Sequence, residues 1–466
     1  NHIFKYFSNI TIVAYLALLF SMLIIFISNP MQLIWIIFGL VTVIAFFYFT
    51  YILNQKWVQI SDRSFERKIF TTSLIIRIVY IVFIWIFYTN ITGEPFEIDA
   101  ADSKGYHGEA LWILDLFGRN EISRYFNSYL TGYSDSGWPL FLSFIYFFTF
   151  KSIFAVRLVN AFLGSWTVIL IYKLTLRNFG KPVARIAAII AMLFPAFIYY
   201  CGLHLKETLM TLILVAFTER VDYLIRKRSI DLFNLLLIIF LGIALFFFRT
   251  VLAAAAWFSL FSALLLSSTK LAGKARRFIN IIWFIIAASF VFSATILAEI
   301  EKYYYQRGSN IEDQMHNFTW REGGNILAQY GKQSIFLPLV TLGPFPSMVN
   351  TNQPNANMVN GSLFTRNILA FFVLLALWVL YKRKLLTNHI LIIVMLFSYL
   401  FILSASGFAL SERFHMPALP FMVILAAYGI KNISKQHFSY YIPYLIIIGI
   451  ITIGWNWFKL AGRGII

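Results

Sequence analysis

The sequence is poor in charge, in acids and in cysteine. Charged residues make up 12% of its 466 positions, where a soluble domain carries about a quarter. Too few polar side chains are available to coat a soluble globule, which excludes that class. The one cysteine, Cys201, excludes an intrachain disulfide framework and a cysteine-cluster metal site. No P-loop, GxSxG elbow or strand-borne GxGxxG occurs. The seven histidines lack HExxH-type spacing, so no strong zinc site is expected. No internal repeat and no low-complexity linker stands out.

What is present is apolar. Hydrophobic residues reach 60% and mean hydropathy is +0.76. They fall in repeated runs near bilayer length, about 17–25 residues; one such run is compatible with a signal peptide, many are not. The expected fold class is therefore an all-α integral membrane protein with about thirteen transmembrane helices. The spans are placed at roughly 10–28, 32–53, 68–90, 153–175, 183–201, 204–224, 231–248, 251–267, 278–298, 363–381, 388–405, 413–430 and 440–457.

Net charge is +18. The basic residues sit in short clusters in alternate gaps, which fits the positive-inside rule and argues against a nucleic-acid partner. With the N-terminus cytoplasmic, Lys56 to Lys68, Lys173 to Arg185, Arg220 to Arg228, Lys270 to Arg277, Lys382 to Lys384 and Lys431 to Lys435 share one side. Trp138 to Phe150 is apolar but only about 13 residues long. Counting it as a span would reverse Lys173 to Arg185, so it reads as a helix in the outer interface. The same parity leaves Lys459 and Arg463 outside. The Ile, Phe, Asn and Lys bias points to an AT-rich bacterial genome. A start at Asn1 rather than Met leads us to expect a few residues before it.

Two long polar segments fall on the outer face, Thr92 to Gly137 and Glu299 to about Gly361. The second contains the apolar stretch Ile335 to Val340 and Gly343-Pro344-Phe345-Pro346, expected to dip into the membrane or lie on it. The first holds the densest acidic cluster: Glu94, Glu97, Asp99, Asp102 and Glu109. Asp102 reads as a helix N-cap. Asp102, Tyr106 and Glu109 then share a face by i, i+4, i+7 spacing. The cluster is either a solvated loop or the source of a proton-accepting carboxylate. His204, Lys206 and Glu207, after Pro195, either snorkel to the interface or serve a site. Arg249, alone between two apolar runs, is an interface anchor or a phosphate ligand. Glu412 and Arg413 open a helix on the same side and either pair or bind. Arg77, inside the third span, reads equally as structural or as a ligand, and Arg157 lies near the outer start of its helix.

Several stretches resemble the GT-C superfamily of membrane glycosyltransferases. The likeness is to the bacterial family 39-like enzymes, with the aminoarabinose transferase to lipid A, protein O-mannosyltransferases and Rgt-type transferases. They are Asp102 with Tyr106, Gly137 to Leu142, Val156 to Ala161, Phe194-Pro195 through Lys206-Glu207, and Glu412-Arg413-Phe414 to Pro420 followed by Ala426 to Gly429. Together they span residues 68 to 430. The resemblance implies a GT-C transmembrane module at 61–298 with outer loop 91–137, a second outer loop at 299–362 and C-terminal helices at 363–466. The two spans in residues 1–60 are an added element.

It also implies inverting sugar transfer from a polyprenyl-phosphate-linked donor to a lipid, glycan or protein acceptor, on the non-cytoplasmic face of a bacterial inner membrane. Asp102 is then the general base. Lys206, Arg249 and Arg413 hold the donor phosphate. Tyr106, His107, His204, Glu207 and Glu412 are substrate contacts. Many relatives carry a second acid directly after the aspartate, where this chain has Ser103; Asp99 and Glu109 are the candidates for that role. No metal is expected, although some relatives use a divalent cation held by paired acids. The alternatives are a polysaccharide polymerase or ligase using a diphosphate-linked oligosaccharide, and a transporter or flippase.

Overall fold

The computed structural model describes residues 2–128, 133–226, 231–266, 339–351, 353–405, 411–462 and 465. Among these the regular elements are all helical, with one isolated β-bridge between Pro30 and Val349. The helices are α1 (His2–Ile25), α2 (Leu33–Lys56), α3 (Asp62–Thr92), α4 (Ala101–Gly118), α5 (Ser123–Ser128) and α6 (Gly137–Thr149). They continue as α7 (Ile153–Phe179), α8 (Lys181–Leu193), α9 (Pro195–Cys201), α10 (Glu207–Arg226), α11 (Leu232–Phe248) and α12 (Thr250–Leu266). The last six are α13 (Pro354–Met358), α14 (Asn360–Lys382), α15 (Ile390–Ala405), α16 (Glu412–His415), α17 (Leu419–Lys431) and α18 (Phe438–Gly462).

Eight helices among the described residues are long and apolar enough to cross a membrane, or nine with α8 and α9 joined. The expectation of thirteen is thus met only in its coarser form. Expected span 183–201 bends by 46° between α8 and α9, where Pro195 cannot donate its backbone bond. Helix α10 is continuous, but Glu219, Arg220 and Asp222 break its apolar run. Helices α11 and α12 have 17 residues each, about 25 Å at 1.5 Å per residue. The expected span at 278–298 and most of the second loop lie outside the described residues.

The end of that second loop is not on the surface. Arg366 donates to the carbonyls of Val340 (3.0 Å) and Leu342 (3.2 Å), and Asn367 to those of Leu342 and Pro344. Asn456 accepts from the Met348 amide and donates to the Pro346 carbonyl. Irregular backbone at membrane depth is tolerated where protein satisfies its polar groups, and these three side chains do so. Helices α14 and α17 form the tightest pair. A Cβ at Gly429 would collide with the Phe372 carbonyl, so only glycine permits that approach. Helix α6 buries one side and exposes the other: Trp138, Leu142 and Tyr146 are buried, and Phe144, Phe147, Phe148 and Phe150 are exposed.

Among the described residues, arginines of several basic clusters meet at one end of the bundle. Arg185 donates to the carbonyls of Trp57, Val58 and Ile60 and pairs with Asp62 at 3.0 Å. Arg177 pairs with Glu219 (2.7 Å) and Asp222 (2.9 Å). Arg226 pairs with Asp222 and reaches the Asn388 carbonyl. Helix α10 runs from Glu207 to Arg226 in 20 residues, about 30 Å. That length places residues 202–207 at the opposite end, one hydrocarbon thickness away.

Cysteine labelling tests these opposed ends. In a cysteine-free C201A background, the cysteine of Glu121→Cys should react with an impermeant maleimide on intact cells. That of Lys384→Cys should react only after permeabilisation. Equal labelling of both on intact cells would put the two positions on one side.

Candidate functional site

Four separate stretches of chain converge at the end away from the basic rim. They are the start of α4, the turn before α10, the break between α11 and α12, and the start of α16. Asp102 is not the N-cap of α4. That position belongs to Ala100, and Asp102 is the second helical residue, without a capping bond. Its carboxylate lies in the first turn, where the helix dipole favours negative charge, and pairs with the guanidinium of Arg413. The same guanidinium donates from Nε to Glu207 Oε1 at 2.5 Å, and Arg249 Nη2 stands 3.9 Å from that oxygen.

The strengths of these pairs differ. The Glu207 side chain is 0% exposed, so removing its cationic partner would strand a buried charge, at a cost of about 3–5 kcal/mol. The Asp102 side chain is 63% exposed, and such a pair contributes about 0–1 kcal/mol. Arg413 is therefore positioned by Glu207, and Asp102 is held loosely.

Arg249 ends α11 in extended backbone and is buried. It donates to the Tyr399 hydroxyl at 3.0 Å and lies over the Phe414 ring, 4.4 Å from its centroid. The Tyr399 hydroxyl donates in turn to the Phe414 carbonyl at 2.8 Å. A surface anchor would be exposed, so that reading of Arg249 is corrected. Snorkelling is likewise corrected for His204, Lys206 and Glu207, which are all buried.

Lys206 is already engaged, by Asp135 and by the Phe248 carbonyl at 2.8 Å. Asp135 went unnoticed in the sequence. It sits in a Ser-Asp-Ser-Gly run with φ at 75°, and nothing local marks it as the partner of a lysine some seventy positions on. Glu412 does not pair with its neighbour Arg413. It accepts from Ser362 Oγ at 2.9 Å, and its Oε2 is buried with no partner among the described residues.

Among the described residues, the other expected acids do not join this ion-pair network. Asp99 is exposed just before α4, at φ 56°, and Glu109 is part-buried on α4. The second carboxylate of the cluster is Glu207. Tyr106 packs beside Arg413; burial raises its hydroxyl to about 12, with Arg413 pulling the other way. Arg77, buried, donates to Ser73 and to the Met192 carbonyl, a structural pattern. Arg157 holds the Pro95 carbonyl, which ties the start of the outer loop to α7.

A second polar chain lies alongside. His107 Nδ1 is 2.6 Å from the Tyr146 hydroxyl, which is 3.0 Å from His204 Nε2. Burial lowers the pKa of His107. Burial, with Arg157 and His107 adding to it, lowers His204 to about 3. His204 is therefore a neutral imidazole near neutral pH, a hydrogen-bonding group rather than a cation. Among the described residues no group of three or more His, Cys, Asp and Glu side chains has a metal-holding arrangement. No protein-family model matches the chain, and no curated protein matches it.

The pH response of His204 has a definite sign. The unfolded imidazole titrates near 6.5 and the folded one near 3, so the unfolded state binds the extra proton between those values. The stability contributed by His204 is complete above about pH 6.5 and is lost as pH falls toward about 3. His204→Gln should therefore flatten the drop in unfolding temperature between about pH 7 and about pH 5. An unchanged slope in detergent-solubilised protein would contradict a buried neutral His204.

Proposed function

We propose that this chain is a membrane glycosyltransferase of the GT-C type. On this reading it moves a sugar from a polyprenyl-phosphate-linked donor to an acceptor hydroxyl at the membrane face opposite the basic rim. The observation that carries the reading is the Asp102–Arg413–Glu207–Arg249 constellation, in which an exposed carboxylate and an anchored guanidinium meet at the end of the bundle away from the basic rim.

Asp102 is the general base. A carboxylate held tightly by a guanidinium is a poor base, but this one is held weakly. A donor phosphate arriving at Arg413 competes with Asp102 for the guanidinium and finds a planar, bidentate donor. The carboxylate it displaces is free to take the acceptor proton. The acceptor oxygen then bonds to the anomeric carbon from the face opposite the phosphate. The carbon–oxygen bond to phosphate breaks, and the polyprenyl phosphate leaves with the electron pair. Arg413, with Arg249 behind it, stabilises the charge on that leaving group. Lys206 acts at one remove, holding Asp135 and the end of α11.

The neutral Tyr146, His107 and His204 chain and the Tyr106 hydroxyl suit hydrogen bonding to an uncharged sugar. A bacterial inner membrane, with the N-terminus on the cytoplasmic side, is the setting that fits the charge distribution. A lipid, glycan or protein acceptor is compatible with the same arrangement.

Replacing Asp102 with Asn should lower sugar transfer by about 10²–10⁴-fold, the usual contribution of a positioned base, with expression intact. Near-normal transfer would remove the base assignment. Arg413→Lys keeps the charge but loses the fork. It should weaken undecaprenyl phosphate binding, raise the donor KM and also lower kcat, because the leaving phosphate loses its bidentate partner. Comparing polyprenyl-monophosphate sugars with a diphosphate-linked oligosaccharide as donors separates this reading from a polymerase or ligase.

A further inference from the structure

At the basic rim, away from the Asp102 site, a cavity of about 590 Å³ opens between α1, α2, α8, α14 and α17. Its volume is that of a small-molecule site. The depth is apolar, walled by Phe46, Phe47, Ile189, Ile190, Leu369 and Phe372, all buried. The mouth is polar and cationic: Lys431 and Lys181 are exposed there beside Gln55, and Lys181 pairs with Asp62 at 2.9 Å. Arg185 also lines the cavity but is buried, and much of it is committed to carbonyls and to Asp62.

A further observation points to a ligand. Thr50 Oγ1 and Arg185 Nε belong to residues that line the cavity, and both atoms are buried with no hydrogen-bond partner among the described residues. Buried polar groups are nearly always paired, and a guanidinium N–H can only donate. The Tyr172 hydroxyl lies beside Arg185 and can accept from it, so the polar group left for a ligand's oxygens at the cavity wall is that of Thr50. The ligand must also bring an apolar chain for the aromatic depth and a negative charge for Lys431 and for Lys181, which shares the single carboxylate of Asp62 with Arg185.

We propose that this cavity is a binding site for an anionic phospholipid of the leaflet at the basic rim. One acyl chain enters between α2, α8 and α14, and the ester and phosphate oxygens meet Thr50, Lys181 and Lys431. Basic pockets between transmembrane helices are where acidic headgroups are held. A free phosphate ion would satisfy the lysines but leave the apolar depth unfilled. Zwitterionic lipids would fill the depth without the charge match. The lipid joins α1 and α2 to the rest of the bundle, because their residues and those of α8, α14 and α17 line one cavity.

Native mass spectrometry of the full chain in detergent tests this, with palmitoyl-oleoyl phosphatidylglycerol, phosphatidylcholine of the same chains, or inorganic phosphate as probe. Phosphatidylglycerol should be retained about ten-fold better than phosphatidylcholine, from two lysines at the headgroup. K181Q/K431Q should abolish that preference while still retaining phosphatidylcholine. Thr50→Trp, which fills the cavity, should lose both lipids. The lysines are exposed, so their variant keeps the fold and decides the matter even where Thr50→Trp does not fold. Equal retention of the two lipids by the parent chain overturns the site, as does an intact preference in K181Q/K431Q. Phosphate adducts as abundant as those of phosphatidylglycerol overturn it in favour of a simple anion site.

Discussion

The guanidinium of Arg413 joins parts of the chain that are 206 and 311 positions away, through Glu207 and Asp102. It can do so because Glu207 is fully buried and must have a cation beside it. That single requirement orients the start of α16 against the start of α10. Arg249 is drawn to the same oxygen, which brings in the break between α11 and α12. Asp102 is added last and most weakly, from the first turn of α4. The result is a graded site: a fixed buried acid, a guanidinium at its edge, and an exposed carboxylate that is easily released.

The bundle is built to separate two kinds of charge. At one end arginines of α7, α8 and α10 neutralise Asp62, Glu219 and Asp222 and satisfy the carbonyls of the turn after α2. At the other, acids and bases converge around the guanidinium of Arg413, with Asp102 exposed at its edge. Both arrangements keep ionised groups near helix ends, where desolvation costs less than at mid-bundle. Long helices such as α3 and α7 set the distance between the ends. The carbonyl-capping roles of Arg366, Asn367 and Asn456 let an irregular segment enter the bundle between them without orphaned backbone groups.

Much of this was legible in the sequence. Periodic apolar runs marked the helices, and the alternation of basic clusters put Asp102, Glu207, Arg249 and Arg413 on one face before any contact was known. The short helix at Trp138 to Phe150 was likewise marked by its apolar run. What the sequence did not show were pairings. Asp102 was read as a cap because a carboxylate before a helix usually is one, yet Ala100 holds that place. Glu412 was weighed as a partner of Arg413 because they are adjacent, whereas adjacent helical residues point in different directions, and Ser362 receives it. Asp135 had no signature, and neither did the His107–Tyr146–His204 chain.

The sequence by itself determined that the chain folds as apolar helices, and its charge pattern set out which charged groups were candidates to meet. These properties depend on hydrophobic length and local charge, which are written residue by residue. Tertiary structure alone decided which of them do meet, which cation is committed to a buried acid and which carboxylate stays free. Those outcomes depend on desolvation and on distances of a few ångströms between segments hundreds of positions apart, and no local pattern encodes them.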